Sequence, residues 1–163
     1  MKTHSILRIA VPAILCALAG LASACNDNNT TTAPGSIANV SIDAPQSARS
    51  GETFTIDVGA IAVGVNNVHN GQVVVTLPAP LQVISVDASA GTSATFSNAG
   101  GTATVSWTLN TLDSNSQSRL HIATMGLLPS GSSAQTLTVR ASLTGDGIRP
   151  GDAVANDSFQ LMP

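Results

Sequence analysis

From Ile37 onward, several segments place apolar and polar residues at alternating positions, and no stretch of ten or more residues shows helical apolar spacing. Phe54, Ile56 and Val58 alternate with Thr53, Thr55 and Asp57. Ala103, Val105, Trp107 and Leu109 alternate with Thr102, Thr104, Ser106 and Thr108, and Leu137, Val139, Ala141 and Leu143 with Thr136, Thr138, Arg140 and Ser142. A period of two puts successive side chains on opposite sides of an extended chain, so each segment predicts a strand with one dry and one wet face. The same reading places strands over 40–43, 72–77, 81–87, 93–97, 120–125 and 158–162. Turn residues separate them: Ser50-Gly51, Asn70-Gly71, Pro78-Ala79-Pro80, Ala90-Gly91, Gly100-Gly101, Pro129-Ser130-Gly131 and the Gly145 to Gly151 loop.

Eight or nine short strands without helices or an internal repeat predict an all-β fold, an antiparallel β-sandwich of immunoglobulin type. Trp107 is the expected centre of its core. The wet faces carry Thr and Ser in place of charge, and the edges lack the lysines that discourage edge pairing. That leaves two expectations: either the edges are short, or one of them binds something.

The N-terminus follows a different pattern. Lys2 and Arg8 precede an almost wholly apolar run from Ile9 to Leu21, the layout of a secretory signal peptide over residues 1–24. Such a run makes about 20 Å of helix against a hydrocarbon core of about 30 Å, too short for a comfortable span. Leu21-Ala22-Ser23-Ala24-Cys25 resembles a bacterial lipobox, with Ala22 where Leu is usual. The resemblance implies that Cys25 is lipidated and becomes the first mature residue. Ala22-Ser23-Ala24 also fits ordinary signal-peptidase cleavage, which makes simple secretion the alternative. Residues 25–36 are then the lipidated cysteine and a polar linker without a large apolar residue, read as a flexible tether. Asn26 stands where an Asp would favour inner-membrane retention, so the expected location is the cell envelope at the outer membrane.

Beyond the address, Arg49, Arg119, Arg140 and Arg149 oppose nine carboxylates, and no lysine remains. A nucleic-acid partner is not expected, because phosphate neutralisation needs clustered cations. The absence of lysine also excludes Lys–Asn isopeptide crosslinks. Cys16 and Cys25 both lie in the first 25 residues, so the domain has neither a disulfide framework nor a thiolate metal site. His69, expected in an Asn-rich loop, and His121, expected to point outward from a strand, offer no convergent ligand set. No nucleophile elbow, metalloprotease helix motif or phosphate-cradling loop occurs, so no catalytic residue, enzyme activity or cofactor is expected. The most acid-dense stretch runs from Thr144 to Asp152, with Asp157 just beyond. Asp146, Asp152 and Asp157 are weak candidates for a Ca²⁺ site, which needs six to eight oxygens. The alternative is a solvated turn with an Asp–Arg pair involving Arg149.

Four segments carry a family resemblance: Ser50 to Ile56; Asn70 to Pro78 with Leu81 to Ser85; Val105 to Leu109 with Leu112; and Ala155-Asn156-Asp157 before the last strand. Together they resemble the bacterial conserved-repeat domain of unknown function often called number eleven, across most of residues 37–163. The resemblance implies an Ig-like module of surface and envelope proteins, usually in tandem, whereas this chain holds one copy. Leu81 to Asp87 also resembles cohesin and carbohydrate-module sandwiches. The expected function is a non-catalytic envelope lipoprotein. Its membrane partner is reached through lipid, and its Ig-like domain contacts an envelope or surface protein. A ligand-binding module of cohesin or carbohydrate-binding type is the alternative.

Overall fold

The computed structural model of the protein describes residues 29–32 and 37–163. Among these the chain forms eleven strands and no helix: β1 (Asn29–Thr32), β2 (Ala38–Asp43), β3 (Ser47–Arg49), β4 (Thr53–Ala62), β5 (Val68–Pro78), β6 (Leu81–Ala88), β7 (Ser93–Ala99), β8 (Thr102–Leu112), β9 (Gln117–Gly126), β10 (Gln135–Thr144) and β11 (Ala153–Met162). A seven-stranded sheet runs β1-β11-β10-β5-β8-β7, with β3 also on β11, and a four-stranded sheet runs β2-β4-β9-β6. All pairings between strands are antiparallel except β3 with β11, which is parallel. The expected sandwich of Ig-like type is therefore present, with a mixed edge.

The alternating segments are the strands, and their apolar members form the core. Ile56 and Val58 of β4, Val105, Trp107 and Leu109 of β8, and Val139, Ala141 and Leu143 of β10 are all buried. Trp107 is 0% exposed, and its Nε1 donates to Thr92 Oγ1 at 3.0 Å, so the ring's one polar atom is satisfied beside the core. Thr92 in turn donates to Ser89 O at 2.6 Å. Phe54 and Phe159 meet edge to face with centroids 5.3 Å apart. At Gly126 a Cβ would lie 2.6 Å from Leu161 Cδ2, so the two sheets close there only because that position lacks a side chain.

Most strands run longer than their alternation predicts, and two were not expected. β3 is three residues long, too short to show a period. β1 falls inside the segment read as a tether and pairs with Ala153–Asn156. The motif Ala155-Asn156-Asp157, expected before the last strand, lies within β11. Both lateral seams between the sheets are closed by side chains that hydrogen-bond backbone. On one side, Asn98 of β7 accepts from Val83 N and donates to Val83 O, both at 2.9 Å, where a register shift in β6 leaves Ile84 out of the ladder. On the other, the buried Asp157 carboxylate accepts from Ala44 N at 2.7 Å and from Ser158 N at 2.8 Å.

Trp107→Ala is expected to cost about 3–5 kcal/mol of stability by cavity formation, read as a lowered urea midpoint with unchanged slope. Asp157→Ala should cost about 1–3 kcal/mol, because the Ala44 N–H is left buried without an acceptor. Asp157→Asn should cost less than the alanine change, since its carbonyl oxygen still accepts. Equal midpoints for wild type and Asp157→Ala would show that this seam bond contributes nothing.

Candidate functional site

With the seams closed, the two outer sheet faces are the broad free surfaces, and their side chains follow from register. On the small sheet, Asp43 lies opposite Asp57, Asp57 opposite His121, and His121 opposite Asp87. Antiparallel partners share a face, so three carboxylates and one imidazole form a row across four strands, and all four residues are exposed. His121 Nδ1 pairs with Asp57 Oδ1, with the two side chains about half exposed. His121 points outward as its strand pattern implies. The carboxylates beside it went unrecognised because β2, β4, β6 and β9 are far apart in the chain.

One register step along, Ser41 lies opposite Gly59 and Gly59 opposite Arg119. A Cβ at position 59 would stand 2.7 Å from Ser41 Oγ and 3.1 Å from Gln117 Nε2. Ser41 and Gln117 close in over that glycine, and a shallow depression of about 300 Å³ is bordered by Ser41, Asp43, Asp57, Gln117, Arg119 and His121. Its wall is made of hydrogen-bonding groups of both charge signs. Ser41 sits two strands from His121.

The outer face of the large sheet has a different chemistry. One row runs Ser97–Thr104–Thr76–Arg140–Asn156. The next runs Thr95–Ser106–Val74–Ser142–Val154, and a third runs Ser93–Thr108–Gln72–Thr144. Across β7, β8, β5, β10 and β11 this face carries mostly hydroxyls and amides, with Val74 and Val154 among them, no carboxylate, and Arg140 as its one charge. Phe96 is 42% exposed, but it lies opposite the buried Val105 and so leans to the inner side at the sheet's rim.

The three weak calcium candidates of the acidic region lie in different settings. Asp146 accepts from Asn70 Nδ2 at 2.9 Å, and its own N–H bonds His69 O at 2.9 Å. Asp152 donates its N–H to Arg149 O at 3.1 Å. Asp157 is four positions inside β11, turned inward and committed to two backbone donors, because the strand starts at Ala153 and not after the motif. Among the described residues no group of three or more His, Cys, Asp or Glu side chains is placed to hold a metal ion. The Asp–Arg pair expected in this loop is absent as well, and among the described residues the ion pair is His121–Asp57. His69 belongs to β5, not to a loop, and its Nδ1 lies 3.2 Å from Thr111 Oγ1. Cys25 lies outside the described residues.

No protein-family model and no curated protein matches the chain. Solved structures share its fold at low identity. The cohesin module from a family 33 glycoside hydrolase of Clostridium perfringens is 10% identical with a TM-score of 0.56, over 78% of this chain and 98% of its own. The sixth cohesin of Acetivibrio cellulolyticus scaffoldin B, solved with a Cel5 dockerin, is 16% identical with a TM-score of 0.53, over 77% and 97%. AvmM, which catalyses macrocyclization in alchivemycin A biosynthesis, is 14% identical with a TM-score of 0.51, over 81% and 91%. The likeness is one of fold, and it spans both binding modules and an enzyme.

Millimolar Ca²⁺ added after chelation is expected to leave the melting temperature unchanged. A site of micromolar affinity would add about 4 kcal/mol under those conditions. A rise of about five degrees or more, abolished by Asp152→Asn, would show that the loop closes round an ion.

Proposed function

We propose that this chain is a non-catalytic envelope lipoprotein, held at the outer membrane by lipid on Cys25, whose sandwich makes protein–protein contact through the outer face of the large sheet. The observation that carries the reading is the make-up of that face: five strands of mainly Ser, Thr, Asn and Gln, with Val74 and Val154 among them, around the single charge of Arg140, with no carboxylate. A broad hydroxyl surface with one fixed cation suits a protein partner that presents hydrogen-bonding groups and one acid. Cohesin sandwiches solved in complex with dockerins support the use of such a fold for protein contact.

The depression at Gly59 favours a second reading, a module for a small polar ligand of carbohydrate type. Sugar recognition commonly uses stacked aromatic faces, and here Trp107 and Phe159 are buried while Phe96 leans inward.

Two measurements test the proposal. Cys25→Ser should move the protein from the detergent phase to the aqueous phase, and equal partitioning of both forms would defeat lipid anchoring. A photo-crosslinking residue at Ser106 should give one discrete protein adduct in cells, diminished by Arg140→Glu, while the same residue at Thr55 should give none. Adducts from Thr55 alone would put the contact on the wrong sheet in this proposal.

A further inference from the structure

Asn29–Thr32 pairs antiparallel with β11, Asn29 opposite Asn156 and Thr32 opposite Ala153, on the outer edge of the large sheet. The segment Asn-Thr-Thr-Thr contains no apolar residue, and its pairing with β11 is a backbone ladder of four register positions. For a short edge strand of this composition, the entropy of ordering each residue is of the same order as the net gain of each bond, so the pairing is close to balance. It also sits where the chain leaves for its N-terminus. Cys25 precedes Asn29 by four residues and Ile37 by twelve.

We propose that β1 is a releasable strap that sets how far the sandwich stands from the membrane, an inference that rests on the reading of Cys25 as the lipid anchor. With β1 paired, the chain between lipid and domain spans at most about 14 Å; with β1 released, it reaches Ile37 after at most about 42 Å. A pull from the lipid arrives at Asn29, the end of the strap opposite Asn156, and peels it one residue at a time. When β1 leaves, β11 remains paired with β10 and β3. The two lengths correspond to two uses of one module: held close to its own membrane, or extended toward a partner set back from it.

The register supplies the test. In the full lipoprotein, Thr31→Cys with Val154→Cys places two cysteines at directly paired positions. This pair should form an intramolecular disulfide on mild oxidation at least tenfold faster than the out-of-register pair Thr31→Cys with Gln160→Cys. Thr30→Pro with Thr31→Pro removes strand donors and should release the strap, with the melting temperature of the sandwich unchanged. Neutron reflectivity on a supported bilayer should then show the protein layer of the proline variant extending about 20–30 Å farther out than that of the disulfide-locked form. Equal rates for the two cysteine pairs, or equal layer heights for locked and proline forms, would overturn the strap. A Cys25→Ser form that still builds the same layer would defeat the anchor reading, while the cysteine pair alone still decides whether the strand pairs as stated.

Discussion

The Asp157 carboxylate, buried in the middle of β11, accepts from the backbone N–H groups of Ala44 and Ser158. Its mirror on the opposite flank is Asn98, whose amide takes both backbone groups of Val83. A two-sheet sandwich has four edge strands, and every edge presents backbone donors and acceptors that burial would leave unpaired. Here the edges face each other in pairs across the seams, too irregular for a full ladder, and a short polar side chain replaces the missing strand bond on each side. Among the described residues no buried side-chain nitrogen or oxygen is left without a partner. The arrangement explains how a domain without lysine protects its edges.

Closing the seams decides where function can lie. What remains broad and accessible is one face of each sheet, and the period-two alternation dictates their content once register is set. On the small sheet, register aligns Asp43, Asp57, His121 and Asp87 and brings Arg119 beside Gly59. On the large sheet it aligns hydroxyl side chains around Arg140. Carboxylates directly opposite each other repel, and His121 Nδ1 pairs with one of them, Asp57. The hydroxyl face carries no such conflict and is the better surface for a large partner.

The strands with regular alternation were legible because one buried face imposes a strict period over many residues, as in Ala103 to Leu109 and Leu137 to Leu143. Trp107 was legible for the same reason, as the largest apolar side chain on a dry face. β3 and β1 were not: the first is too short to display a period, and the second has no apolar residue with which to display one. The acidic loop misled because proximity in sequence stood in for proximity in space. Asp157 continues the count of nearby acids but belongs to a strand that carries it inward.

By itself the sequence determined the class of fold, the position of its core and the scarcity of cationic side chains beyond residue 25. These are local or additive properties, readable from period, order and composition. The tertiary structure alone decided which carboxylates meet His121, which side chains close the seams, and that Asn29–Thr32 lies on β11. Each of these depends on pairing between strands far apart in the chain, and strand register is a long-range choice that no local pattern encodes.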